Sequence, residues 1–95
     1  MATVIYGDFE WDSEKAAKNE SKHGITFEEA STVLADPCYL LRQDELCVDR
    51  FLAIGLSGLA RLLVVVHLER GLRIRLISAR RATANEAKTY ERRRF

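Results

Sequence analysis

Several residue types and patterns are scarce in this chain of 95 residues, and each scarcity excludes a class of protein. One proline and five glycines exclude collagen-like and low-complexity chains. The longest aliphatic run, residues 62–66, is far shorter than the roughly 20 residues of a membrane-spanning helix. The N-terminus also lacks the charged and then apolar order of a signal peptide. We therefore predict a cytoplasmic protein that makes no membrane contact.

Metal-binding and nucleophile motifs are also missing. The two cysteines, Cys38 and Cys47, lack the Cys-x-x-Cys spacing and are predicted to be reduced thiols, so neither a disulfide framework nor a zinc site is indicated. The nearest approach to a metal cluster, His67-x-Glu69, is too sparse to hold an ion. No glycine-rich phosphate loop, Gly-x-Ser-x-Gly elbow or Cys-His nucleophile pair is present. We predict that the protein uses no cofactor and no metal.

What the chain does have is enough apolar sequence for one modest core. Apolar residues make up 47% and charged residues 31% of the composition, which argues against disorder. A chain of this length buries roughly 60 to 70 percent of its unfolded surface, enough for a single domain. We predict one domain over residues 1–95.

The net charge of +1 conceals a strong asymmetry along the chain. Residues 1–60 hold 5 Lys and Arg against 11 Asp and Glu, whereas residues 61–95 hold 10 against 3. Nine of those ten cations are arginines, whose planar forks suit bidentate contact with phosphate. The pattern indicates a polyanion or an acidic partner, unless the acidic half only neutralises the basic half within the fold.

Turn and capping signals divide the chain into short elements. The predicted helices begin at Asp12, at the Thr26 and Glu29 capping box, and at the Thr83 and Glu86 capping box; the first ends near Lys22, before Gly24. The predicted strands are residues 3–10, 47–56, 61–69 and 72–79, with a shorter one near 39–42. We therefore predict an α+β fold: an antiparallel sheet of about four to five strands, with two N-terminal helices and one C-terminal helix on one side.

Basic side chains recur on two of these elements. Lys15, Lys18 and Lys22 follow each other at helical spacing on one side of the first helix. Arg73 and Arg75 alternate with apolar residues on the last strand. We predict that Lys15, Lys18 and Arg73 contact a nucleic acid; the alternative is that the helix stripe is an ordinary solvated face.

Two ordered blocks resemble the BrnT family of bacterial toxins. They read Lys-His-Gly-x-x-Phe-Glu-Glu-Ala at residues 22–30 and Ile-Arg-x-Ile-Ser-Ala-Arg at residues 74–80, and shorter matches extend over nearly the full length. The resemblance implies a toxin of a type II toxin–antitoxin pair, with a fold like that of the RelE ribonucleases, that cleaves RNA and halts translation. It also implies a BrnA antitoxin with a ribbon-helix-helix domain that represses the shared operon, so that operator DNA is reached only through the antitoxin.

The chain departs from the family pattern at two positions. Asp49 stands where the family usually has a longer Glu, which weakens any acid or base role for that carboxylate. Ala60 stands before Arg61 where Gly is usual, which matters only if the turn needs a positive φ.

A small ribonuclease without a metal needs a base near the ribose 2′-hydroxyl, a cation at the phosphate and an acid at the leaving 5′-oxygen. Arginine can serve only as the cation. We predict that four arginines of the family blocks hold the scissile phosphate: Arg50, Arg61, Arg75 and Arg80. For each, the alternative is a surface cation or an ion-pair partner.

The candidate acids and bases are Lys22, His23 and Asp49. Each also has a plain structural explanation: an exposed lysine, a histidine at a helix C-terminus, and a carboxylate that orients its neighbour. His67 and Glu69 share one strand face and are either a proton-sharing pair or a structural histidine with its neighbour. The competing function is a non-catalytic module that seats the antitoxin and helps it to repress transcription.

Overall fold

The computed structural model describes residues 2–94, and within them the chain forms one mixed sheet flanked by helices. The elements are β1 (Thr3–Tyr6), β2 (Phe9–Asp12), α1 (Ser13–His23), α2 (Phe27–Val33), β3 (Leu40–Gln43), β4 (Arg50–Leu56), β5 (Leu62–Arg70), β6 (Arg73–Arg81) and α3 (Ala84–Arg94). The strand order across the sheet is β1-β2-β6-β5-β4-β3. No helix in this part of the chain is long and apolar enough to span a membrane.

The predicted α+β class is confirmed, but the sheet has six strands rather than four to five. The predicted strand 3–10 is in fact the β1–β2 hairpin, because Gly7 adopts a φ of 60° and reverses the chain. The prediction of an antiparallel sheet is also wrong at one pair. Strand β2 runs parallel to β6, with Phe9 opposite Ile74 and Glu10 opposite Arg75.

The helices lie on both faces of the sheet, so the prediction that they share one side is wrong. Leu63 and Val65 of β5 pack in a core with Phe27 of α2, and we call this side the helix-pair face. Val64, between them, packs with Tyr90 of α3, and we call that side the α3 face. A central strand that is apolar on both sides needs cover on both sides, and one helical layer supplies only half of it.

A β-bulge in β6 decides which of its side chains face the core. Val66 pairs with Ser78 and His67 with Leu76, which leaves Ile77 as the extra residue. The bulge lets Leu76 and Ala79, three residues apart, both enter the core of the helix-pair face. By the alternation of a strand, the side chains of Arg75, Ser78 and Arg80 then belong to the α3 face. The predicted alternation of arginine with apolar residues is therefore confirmed at Ile74, Arg75 and Leu76.

The predicted helix starts are confirmed by their caps. The Asp12 carboxylate accepts a hydrogen bond from the Lys15 N–H at 3.0 Å, and Thr26 Oγ1 accepts one from the Glu29 N–H at 3.1 Å. At α3, Thr83 Oγ1 accepts from the Glu86 N–H at 3.2 Å, and the Glu86 carboxylate accepts from the Thr83 N–H at 2.8 Å. Helix α1 ends at Gly24, which has a φ of 69°.

Ala60 has a φ of 61°, a left-handed conformation that costs a residue with a Cβ about 1–2 kcal/mol. Replacing Ala60 with Gly removes that cost, although the greater freedom of glycine in the unfolded chain offsets part of the gain. We expect Ala60→Gly to raise the free energy of unfolding by about 0.5–1 kcal/mol. Urea denaturation measures the change. The matched control Ala17→Gly, in the middle of α1, should lower stability by about 1 kcal/mol. An equal loss in both variants would contradict the interpretation.

Candidate nucleic-acid interface

Arginines cross one part of the α3 face. Arg50 of β4 lies opposite Leu68 of β5, and Leu68 lies opposite Arg75 of β6, so the two arginines flank one half-buried leucine. Adjacent strands are about 4.8 Å apart, which places the Cα atoms of Arg50 and Arg75 about 10 Å from each other. We call Arg50 and Arg75 the arginine row. The row lies farther along the strands than Ile54 and Val64, the residues that pack under Tyr90 of α3.

Two of the four β6 arginines, Arg75 and Arg80, are each held by a carboxylate from another element. Arg75 Nη1 donates to Glu10 Oε2 of β2 at 2.8 Å. Arg80 donates to both oxygens of Glu86 at the start of α3, at 2.8 and 2.9 Å, and also to the carbonyl of Arg81. A guanidinium has five N–H donors, and among the described residues Arg75 uses one of them whereas Arg80 uses three. Glu10 therefore orients the Arg75 guanidinium and leaves most of its N–H donors available to a ligand.

Arg50 is different from both, because its side chain makes no hydrogen bond or ion pair within the described residues. Its Nε is buried without a partner. A buried donor without an acceptor is costly, and a charged one more so. An anion bound at the arginine row would supply the missing acceptor.

The Arg80–Glu86 pair makes folding stability depend on pH. Hydrogen bonds from Arg80, followed in importance by those from Thr83, lower the pKa of the Glu86 carboxyl from 4.5 to about 2. A carboxyl with a depressed pKa contributes stability that is present above its unfolded pKa and is lost as the pH falls through the folded value.

We therefore expect wild-type stability to fall between about pH 4.5 and pH 2, with on the order of 2 kcal/mol of the loss due to Glu86 after screening by solvent. Glu86→Gln should show a smaller decline across this window in acid titrations followed by circular dichroism. Glu91→Gln removes an exposed carboxylate from the same helix and should decline like the wild type. Parallel curves for wild type and Glu86→Gln would contradict the assignment.

A groove runs between α1 and the edge of β6. It has a volume of about 210 Å³ and is lined by Lys15, Lys18, Asn19, Lys22, His23, Ile77 and Ser78. The three lysines are exposed and His23 is half-buried. The structure thus brings together four predicted site residues: Lys15, Lys18, Lys22 and His23. We call this the α1–β6 groove.

The groove and the arginines meet at Ser78. Ser78 lines the groove and follows Arg75 on the α3 face, with Arg80 two residues further on. No sequence signal pointed to Ser78, because its orientation depends on the bulge at Ile77. A polyanion that follows β6 would therefore meet lysines on one side and arginines on the other.

Arg61 is not brought together with the other three predicted arginines. It precedes β5 and turns to the helix-pair face, where its Nε donates to Glu29 Oε2 at 2.8 Å and its Nη2 forms a very short contact with Glu29 Oε1. Ser57 Oγ also donates to Glu29 Oε2, at 2.7 Å. The Arg61 guanidinium holds the pKa of the Glu29 carboxyl below its ordinary value. Four arginines therefore do not surround one phosphate, because alternation puts Arg61 on the opposite side of the sheet.

Asp49 and Arg73 lie away from the α1–β6 groove. Asp49 is exposed in the turn before β4, and the groove lies beyond β5 and β6 from there. Arg73 is exposed at the start of β6, opposite Arg70. The structure therefore separates Asp49 from Lys22 and His23.

His67 is buried within the helix-pair side of the sheet. It stacks on Phe51 with ring centroids 5.9 Å apart, and its Nε2 is 3.7 Å from Glu69 Oε1. Burial lowers the pKa of the His67 imidazole, which favours its neutral form. His67 does not line the α1–β6 groove. Nowhere in the described range, the His67 region included, are three His, Cys, Asp or Glu side chains placed to hold a metal ion.

The mixed sheet, the arginine row and the lysine-lined groove define a small α+β domain that presents basic side chains along β6. The family model for "Ribonuclease toxin, BrnT, of type II toxin-antitoxin system" matches residues 11–86, and the chain belongs to this family. The chain is similar to the crystal structure of the Brucella abortus ribonuclease toxin BrnT, with 26% identity, a TM-score of 0.64, and coverage of 77% of this chain and 92% of that one. A search of the curated proteins finds no match.

Proposed function

We propose that this toxin is a metal-independent endoribonuclease whose substrate lies along β6, between the α1–β6 groove and the arginine row. The observation that carries the proposal is the convergence of lysines, a histidine and free arginine donors on one strand segment. Family membership supplies the substrate class, RNA. Phosphate contacts by lysine and arginine account for binding without sequence preference.

The reaction that we assign to the groove is an intramolecular transesterification of the RNA backbone. The ribose 2′-oxygen attacks the adjacent phosphorus, the bond to the 5′-oxygen breaks, and a 2′,3′-cyclic phosphate and a 5′-hydroxyl result. His23 accepts the 2′-hydroxyl proton, because imidazole is the side chain suited to proton transfer near neutral pH. Lys22, its neighbour in the groove, donates a proton to the leaving oxygen. Arg75 and Arg50 stabilise the charge that accumulates on the phosphate.

The other predicted residues take lesser parts in this proposal. Lys15 and Lys18 contact phosphates along the groove, and Arg80 and Arg73 extend the basic surface at the two ends of β6. Arg61 stabilises the fold through Glu29, and Asp49 takes no proton. The protein acts in the cytoplasm, where RNA cleavage halts translation, and a BrnA-type ribbon-helix-helix antitoxin neutralises it.

The test is cleavage of a structureless RNA by the purified protein in the presence of a chelator, beside DNA of the same sequence. We expect the RNA to be cut and the DNA to stay intact, because DNA has no 2′-hydroxyl to attack. Salt-sensitive binding of both polymers, with no cleavage at any protein concentration, would instead support a non-catalytic module. Loss of cleavage on chelation would contradict metal independence.

A further inference from the structure

Asn19 is a buried polar residue on α1 that the proposed chemistry does not use. The residue is 7% exposed and is one of those that line the α1–β6 groove. Its amide oxygen accepts the Ala79 N–H at 3.0 Å, and its amide nitrogen donates to the Ala79 carbonyl at 2.9 Å and to the Ile25 carbonyl at 3.0 Å. Three of the four hydrogen bonds that this amide can make are therefore satisfied by backbone.

The position of these hydrogen bonds in the fold explains why residue 19 needs an amide side chain. Strand β5 pairs with β6 at Ala79, but β2 pairs with the other edge of β6 only at Ile74 and Arg75. On that edge, within the described residues, no strand lies beside Ala79. Ala79 is fully buried, and an unpaired N–H and C=O there would be costly. The Asn19 amide supplies one donor and one acceptor to Ala79, as the peptide group of a further strand would. Neither an aspartate nor an apolar side chain supplies both.

The hydrogen bonds of Asn19 also hold the two sides of the α1–β6 groove together. Ala79 lies between Ser78, which lines the groove, and Arg80. Ile25 follows Gly24, the C-cap of α1, and lies two residues after His23, the last residue of that helix. One side chain therefore ties the basic helix and its C-terminal turn to the strand that carries the arginines.

We propose that Asn19 is a positioning residue that sets the placement of Lys22 and His23 relative to β6. This inference rests on the proposed function of the groove. A misplacement of about 1 Å in a catalytic group can cost on the order of 100-fold in rate. Binding of RNA is less sensitive, because attraction of phosphates to the exposed lysines depends on charge rather than on exact placement.

Steady-state cleavage kinetics of Asn19→Ala and Asn19→Asp test the inference. For both variants we expect kcat to fall roughly 10- to 100-fold while KM changes by less than about threefold. The aspartate variant has the size of asparagine but turns a carboxylate toward the two carbonyls. Val33→Ala, which removes core volume under α2, is the control for lost stability alone. Rates are compared at equal folded fraction.

A double-mutant cycle with His23→Ala separates positioning from stability. If Asn19 acts through His23, Asn19→Ala should have little further effect on kcat once His23 is alanine. Additive effects, or a loss no larger than that of Val33→Ala, would overturn the positioning role while leaving the ribonuclease proposal intact. Failure of the wild type to cut RNA would overturn the proposed function itself, and this inference with it.

Discussion

Replacing Arg75 with alanine is expected to lower the rate of RNA cleavage on the order of 100-fold, the effect of removing one preorganised donor from a site of developing charge. Glu10 holds the guanidinium through a single hydrogen bond, so the fork is oriented while most of its donors stay free. Arg75→Lys should recover part of the activity, because it keeps the charge but loses the fork. The measurement is single-turnover cleavage of a defined RNA.

Two variants serve as controls for Arg75→Ala. Arg93→Ala removes an exposed cation from α3 and should change the rate by less than about threefold at constant salt, as expected for one distant surface charge. Glu10→Gln keeps the arginine but weakens its hold, so we expect a smaller loss than in Arg75→Ala. An unchanged rate in Arg75→Ala, with the fold intact, would remove the arginine row from the proposed mechanism.

Full inhibition by the antitoxin is the second large effect we expect. In the proposed function, RNA binds to the basic α1–β6 groove and the arginine row, and an acidic or amphipathic segment of the antitoxin would compete for this surface. Expression of the toxin alone should arrest bacterial growth, and coexpression of the cognate antitoxin should restore it. Titration of antitoxin into the cleavage assay, with complex formation monitored in parallel, measures the occlusion directly.

The antitoxin experiment has a clear opposing outcome. If a stable complex forms while RNA is still cut at the rate of the free toxin, covering of the site is not the neutralising mechanism. Association should also slow as the salt concentration rises, because steering by opposite charges is screened. A rate of association independent of salt would point to an apolar docking surface instead.

Local signals in the sequence predicted the helix starts and the class of the fold. Asp12, Thr26 and Thr83 are N-caps whose partners are within three residues, so the sequence contains the whole interaction. The alternation of Ile74, Arg75 and Leu76 likewise depends only on the pleat of one strand. These features needed no knowledge of tertiary contacts.

The missed features all depend on pairing between distant segments. The parallel β2–β6 pair joins residues more than sixty positions apart, and the bulge at Ile77 is defined only against β5. Arg61 precedes a strand that is apolar on both sides, so the sequence alone could not show which face of the sheet shares the side of Arg61. Asn19 did leave a signal: it lies three residues after Ala16, which packs against the core, and a polar residue there predicts a buried hydrogen-bond partner.

In the proposed mechanism, the ribose 2′-hydroxyl, and not a metal-activated water, attacks the phosphate. The most direct test is analysis by mass spectrometry of the RNA ends produced by the wild-type toxin in the presence of a chelator. We predict 2′,3′-cyclic phosphates and 5′-hydroxyls, together with no cleavage at a site where a single 2′-deoxynucleotide precedes the scissile phosphate. Products with 5′-phosphates and 3′-hydroxyls, or normal cleavage at the 2′-deoxy site, would contradict the account.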